Sequence, residues 1–320
     1  MNHQRALSWT IRCVAVLTCL ITCSCDSSHL GAAQGENRVS SDDRFEKLLQ
    51  ASGATDWLAL VRQSETQFQL AVVSKGGMRA LDTNPPIDLP SFISSSGAVA
   101  VVSGGSTSSN SSADALFLSE DLTSLTRISE PNAGRFAASI SASGTVAAMT
   151  RTGDIALRPD STKRWSTLAI DGADLGPPEW IGDDALLTVR SPGTRRARLL
   201  RISLPSGNPP KIHSIAKVPC ATSVSAAPDR TRAATYALTT PGCRSVVVGL
   251  GTTQAGVTPL PQGWHPLMWS QTAHTLVIAS RDEVGSWSPG QSLISDRTST
   301  PKELVAAVPA PVHPKPLPHE

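Results

Sequence analysis

Short apolar runs alternate with turns of small and polar residues along most of this chain. In Ser139–Asp160, "SISASGTVAAMTRTGDIALRPD", a turn at Ser143-Gly144 is followed by an apolar run. A second turn at Thr152-Gly153-Asp154 leads into another. The same phrase recurs. Anchored on the residue at the first of these turns, the copies fall at Gly53, Gly97, Gly144, Asp184, Asp229 and Ala273, with spacings of 44, 47, 40, 45 and 44. Before the anchor comes a strand ending in small or polar residues, as in "SFISSSG" from Ser91, "PEWIGDD" from Pro178, "TSVSAAPD" from Thr222 and "PLMWSQTA" from Pro266. After it comes an almost wholly apolar strand: "WLALV" from Trp57, "AVAVV" from Ala98, "TVAAM" from Thr145, "ALLTV" from Ala185, "RAATYAL" from Arg232 and "TLVIA" from Thr275. A third strand follows, for example "FQLAVV" from Phe68, "ARLLRIS" from Ala197 and "SVVVGL" from Ser245. A weaker fourth includes "WSTL" from Trp165 and "IHSI" from Ile212, with "ELVAAV" from Glu303 in the last copy.

A strand that is apolar at every position is covered on both faces, whereas a polar one lies at an edge. Four strands in a repeat of this length read as one propeller blade. The pattern therefore predicts an all-β chain, a six-bladed β-propeller of four-stranded antiparallel blades over residues 42–307. A pair of smaller all-β domains is the alternative. The ends are less regular. "DDRFEKLLQASG" (Asp42–Gly53) fits either the first strand of copy one or a short helix stopped by Gly53. "VPAPVHPKPLPHE" (Val308–Glu320) is dense in proline and is expected to form an extended tail outside the sheet.

The turn between first and second strands carries a family likeness. "AAPDRTRAATY" (Ala226–Tyr236) is close to a Ser-Pro-Asp-Gly turn, and "SASGTVAAM" and "SSSGAVAVV" are eroded versions of it. The copies resemble the propeller of the TolB type, found in many bacterial envelope proteins. The likeness covers roughly residues 45–307. It implies a fold and no ligand, because this turn is a strand connection. No room is expected for an additional N-terminal α/β domain ahead of the ring.

The segment ahead of the repeats changes where such a ring is expected to work. Arg5 and Arg12 flank the apolar "CVAVLTCLIT" (Cys13–Thr22), which is too short to span a bilayer and reads as an export signal over residues 1–24. "LITCSC" (Leu20–Cys25) resembles a bacterial lipoprotein box, with Cys25 as the lipid acceptor in preference to Cys23. An ordinary cleaved signal is the alternative. Residues 25–41, polar and rich in Ser and Gly with no apolar period, are expected to be a flexible tether. The charge balance excludes one partner class: 28 Lys and Arg against 26 Asp and Glu leave a net charge of +2, too little for a nucleic-acid surface.

Outside the signal and its processing site only Cys220 and Cys243 remain. The repeat puts Cys220 at the start of the first strand of copy five and Cys243 between its second and third strands. Both lie on one face of the ring, which predicts a disulfide in an exported protein. "VRSPGTRRARLLR" (Val189–Arg201) places Arg190, Arg195, Arg196, Arg198 and Arg201 around a loop on that same face. Such a group suits phosphate, lipid headgroups or an acidic partner, or is simply a solvated hairpin. Trp180 and Trp269 occupy matching places near the axis, suited to stacking on a sugar or to wedging blades apart. Asp183 and Asp184 fall on a turn, where neighbouring side chains diverge. His213, His265 and His274 show no metal-ligand spacing. No local catalytic motif is present. The expected function is a non-catalytic interaction or scaffold module, exported and lipid-anchored in the cell envelope. It is expected to be monomeric, to use no cofactor or metal, and to bind an envelope protein or cell-wall component. The alternative is a propeller hydrolase or lyase for carbohydrate or peptide, which requires charged groups to converge at one mouth of the channel.

Overall fold

The structure is a computed structural model. It describes residues 135–299 almost continuously and 304–309; before residue 135 it describes chiefly the strands, from 38–39 to 126–128. The expected export signal, Cys23 and Cys25 lie outside the described residues.

Every sheet is antiparallel and four-stranded but one. Copies two to six each form a meander whose strands follow chain order from the axis to the rim. Copy four, for example, runs through Glu179–Trp180, Ala185–Arg190, Arg198–Ser203 and Lys211–Lys217. Copy five runs through Ala221–Ala226, Arg232–Ala237, Val246–Gly249 and Val257–Pro259. Burial follows the predicted gradient. In copy four the second strand is buried from Ala185 to Val189, whereas Lys211–Lys217 is largely exposed. Apolar clusters lie between neighbouring sheets. One joins Leu187, Val189 and Leu199 of copy four to Ala221, Val224 and Ala233 of copy five. Another joins Ala147, Met149 and Ile155 of copy three to Trp180, Leu186 and Leu200 of copy four. No blade buries its faces alone, and this is the physical reason for the repeat.

Copy one departs from the expectation of six uniform four-stranded blades. It forms a five-stranded sheet from both ends of the chain. From rim to axis the strands are Arg38–Val39, Gly77–Ala80, Phe68–Ser74, Asp56–Arg62 and Leu304–Pro309. Four sequence expectations are corrected by this sheet. "ELVAAV" is not the outer strand of the last copy; that place belongs to Ser295–Ser299, and Leu304–Pro309 pairs instead with Asp56–Arg62. The proline-rich tail does not begin outside the sheet, since Val308 and Pro309 sit opposite Leu58 and Trp57. An innermost strand is an edge with one side unpaired, and an edge tolerates proline. The tether is not wholly free either: Arg38 and Val39 pair with Arg79 and Met78. The first-strand reading of Asp42–Gly53 fails because the C-terminal strand holds that place. Gln50 and Ser52 are helical, and Gly53 ends the turn at a φ of 67°. Ser52 then accepts the indole N–H of Trp57 at 2.9 Å and the backbone N–H of Gln271 at 3.0 Å, which ties the turn to the last copy.

Strand direction defines two faces. First strands rise to the turns that lead into second strands, here termed the upper face. Second-to-third loops and the links between sheets lie on the lower face.

Candidate functional site

On the lower face, the loop between Ala185–Arg190 and Arg198–Ser203 leans onto the next blade. The Gly193 N–H donates to the Ala221 carbonyl and the Cys220 N–H to the Thr194 carbonyl, both at 2.7 Å. The Thr194 hydroxyl braces the loop from within by donating to the Ser191 carbonyl at 2.7 Å. Cys220, in left-handed backbone at φ 63°, is bonded to Cys243 across a Cα separation of 5.6 Å. The predicted disulfide and the predicted arginine loop therefore form one corner.

The arginines are arranged by register. Arg190 lies opposite Arg198, and Arg198 lies opposite Lys217, so three cations cross blade four in one row. Arg195 and Arg196 stand on the loop itself. All five are exposed, and among the described residues none forms an ion pair. Lys217 was not legible as a member, because its register is fixed by a bulge between Leu199 and Leu200. Arg201 does not belong to the exposed group. It is half-buried, opposite Leu187 and His213, and its Nε is buried without a hydrogen-bond partner.

On the upper face, the first-to-second turns are linked from one copy to the next. The Ser143 N–H donates to Asp183 Oδ1 at 2.8 Å. That bond, with further hydroxyl contacts from Ser143 and Ser141 and the charge of Arg230, holds the Asp183 carboxyl below its ordinary range. Burial alone would raise Asp229. The N–H and hydroxyl of Thr231, with the charges of Arg232 and His274, outweigh it and leave the carboxyl low. Asp183 is thus a turn-linking residue, with no sign of the dyad that adjacent carboxylates suggest.

The tryptophans near the axis are wedges. Trp180 is 8% exposed between copies three and four, and Trp269 is 3% exposed between copies five and six. The Trp269 indole donates to the Ser225 carbonyl at 3.1 Å. Neither offers a face for sugar stacking.

Sequence reasoning missed Glu179, which precedes Trp180 on the inner strand of copy four. The signal was a carboxylate among inner-strand residues that are mostly Ser, Ala and apolar. Its Oε1 accepts the Ala226 N–H at 3.4 Å. Burial pushes its pKa up from 4.5 to about 7, and the Ala226 hydrogen bond only partly opposes the rise. In unfolded chains the carboxyl ionises near 4.5, so both states hold the proton below about pH 4. As pH rises, the unfolded state ionises first and stability falls, until the folded carboxyl ionises near pH 7. Glu179→Gln keeps the acceptor and removes this penalty. It is expected to raise stability at pH 8 by about 1–3 kcal/mol and to leave it unchanged at pH 4. Urea midpoints at the two pH values check this; an equal shift at both would overturn it.

His265 begins the inner strand of copy six and is stacked on Tyr236 at 4.8 Å. Its Nδ1 lies 3.3 Å from the Ser245 hydroxyl, which also accepts the Ala237 N–H. Burial lowers the His265 pKa, so the ring is neutral and Nδ1 can accept from Ser245. Ser245 is 1% exposed, and the pair serves to join two blades. His213 and His274 are exposed at the rim and in a turn. No group of three His, Cys, Asp or Glu positioned for a metal occurs among the described residues.

No family model matches the sequence, and no curated protein is similar to it. Among solved structures, that of TolB from Acinetobacter baumannii shares the fold. It has a TM-score of 0.56 and 15% identity, covering 79% of this chain and 69% of TolB. The chain therefore has the architecture of a TolB-type propeller.

Proposed function

We propose that this protein is a non-catalytic interaction propeller, exported to the cell envelope and held at a membrane by a lipid on Cys25. The observation that carries this reading is where the unpaired charge lies. Five exposed cations stand at a braced, disulfide-fixed corner of the lower face. Glu179, by contrast, has a backbone N–H as its hydrogen-bond partner at the axis. A rigid ring that displays its binding groups on loops recognises a partner by shape and charge. The disulfide supports an oxidising compartment. The partner class is an envelope protein or cell-wall component, bound by a monomer.

The test is metabolic labelling with palmitate in a host that processes bacterial lipoproteins, using the full chain beside Cys25→Ala. Label in the parent, none in the variant, and loss of membrane association on substitution are expected. Label retained in Cys25→Ala would move the acceptor to Cys23. Absence of label in both would overturn the anchor and leave a soluble exported ring.

A further inference from the structure

The arginine corner and the N-terminal end of the ring lie on the same face. Arg38–Val39 runs antiparallel to Gly77–Ala80, with Arg38 opposite Arg79 and Val39 opposite Met78. Gly77–Ala80 is an outer strand, so it descends from the upper face to the lower. Arg38–Val39 therefore rises, and the chain ahead of Arg38 departs from the lower face. The loop 191–197 and the Cys220–Cys243 bond are on that face. Thirteen chain steps separate Cys25 from Arg38. A fully extended chain of that length reaches about 45 Å, and a random coil spans about 20 Å. A chain anchored at Cys25 would thus hold its lower face near a bilayer.

Among the described residues, none of the cations at that corner has a carboxylate partner. Like charges placed opposite one another across strands are destabilising, and the row of Arg190, Arg198 and Lys217 sets three side by side. Asp174 adjoins the row through its backbone. Its carbonyl accepts the Ser191 N–H at 2.7 Å, but its side chain forms no ion pair with the row. Arg244, beside Cys243, donates to Gln262 and adds a further cation on the same face. The loop is also held in place before any partner arrives, which reduces the ordering that binding would require.

We propose that the arginine hairpin of blade four docks on the anionic lipid headgroups of the membrane to which the chain is tethered, so that the ring lies with its lower face toward the bilayer. This rests on the export and anchoring reading for its setting, although the surface itself does not need the lipid on Cys25. Guanidinium groups suit phosphodiester headgroups because they donate in pairs to phosphate oxygens. Juxtamembrane Lys and Arg each strengthen binding to an anionic surface about fivefold, and the effect fades with salt.

The experiment uses the full chain carrying Cys25→Ala, so that lipidation plays no part. Cosedimentation is measured with vesicles of phosphatidylcholine alone and of phosphatidylcholine mixed with phosphatidylglycerol. Salt-sensitive excess binding to the anionic vesicles is expected. Arg195→Gln with Arg196→Gln should reduce that excess about 30-fold, whereas Arg164→Gln, an exposed charge between third and fourth strands on the upper face, should leave it unchanged. Equal binding to both vesicle types overturns the proposal. So does an excess that survives the double substitution. Elimination of the excess by inorganic phosphate at matched ionic strength would replace the lipid surface with a free-phosphate site. No vesicle binding, with retention on an acidic polypeptide, would assign the corner to a protein partner. Failed palmitate labelling with intact anionic-vesicle binding would overturn the anchor and leave the docking surface standing.

Discussion

Removing residues 304–320 should abolish the monomeric folded state, whereas removing residues 311–320 should leave it unchanged. The longer deletion takes away the innermost strand of the closing sheet, which has five registered pairs from Trp57↔Pro309 to Val61↔Leu304. Net hydrogen bonds of about 0.5–1.5 kcal/mol each would be lost, together with apolar cover. The exposed neighbour would be Asp56–Arg62, whose Trp57, Leu58 and Ala59 are fully buried. Total stability of a domain is only about 5–15 kcal/mol. A long apolar edge is also a template for aggregation. Size-exclusion chromatography and urea unfolding decide the matter. A monomer from the longer deletion with an unchanged midpoint and slope would show that Leu304–Pro309 is not the closing strand.

Replacing Cys220 and Cys243 together by alanine should lower stability by about 3 kcal/mol, from the loop-closure entropy released across a separation of 23 residues. For a domain of this size that is a melting shift of roughly 6–12 °C. The disulfide also supports the arginine loop, because Cys220 donates its N–H to Thr194 and its carbonyl accepts the N–H of Leu238. The double variant should therefore become more sensitive to trypsin after Arg195 or Arg196 at temperatures where the ring is still folded. A melting shift below about 2 °C would mean that register alone holds the corner. Reductant added to the parent should reproduce the double variant's melting temperature.

The blades of copies two to six were legible because each is a local meander. Strand alternation, turn and next strand are contiguous, so the repeat of Gly144, Asp184 and Asp229 reports real turns. The disulfide followed from the same register. Closure was not legible. Trp57 and Pro309 are neighbours across a sheet but lie at opposite ends of the sequence, and "ELVAAV" announces a strand without saying which sheet it joins. The bulges were equally silent. The inner strands of copies three, five and six each carry one extra residue against their second strand, at Ala137-Ala138, Thr222 and Leu267. An inserted residue of that kind reverses which side chains face the axis beyond it. The site was therefore only half readable: Arg190 and Arg198 flank a visible hairpin, but Lys217 joins their row only once the bulge beside Leu199 is known. Glu179 lay unremarked in the strand "PEWIGDD", and its desolvation beside Ala226 emerges only from the packing of copy four on copy five.

The way the ring closes also sets an order of events. The sheets of copies two to six use neighbouring segments and can form while the chain is still emerging from a ribosome or a translocation pore. The closing sheet cannot, because its inner strand follows every other strand in chain order. Until then the second strand of copy one has no partner on its axial side. Pairing across so long a loop is slow compared with the formation of a hairpin. A chain that stalls or ends early is thus left as an open arc with two unsatisfied margins, recognisable to proteases and chaperones. Arrival of Leu304–Pro309 is what converts the arc into a ring.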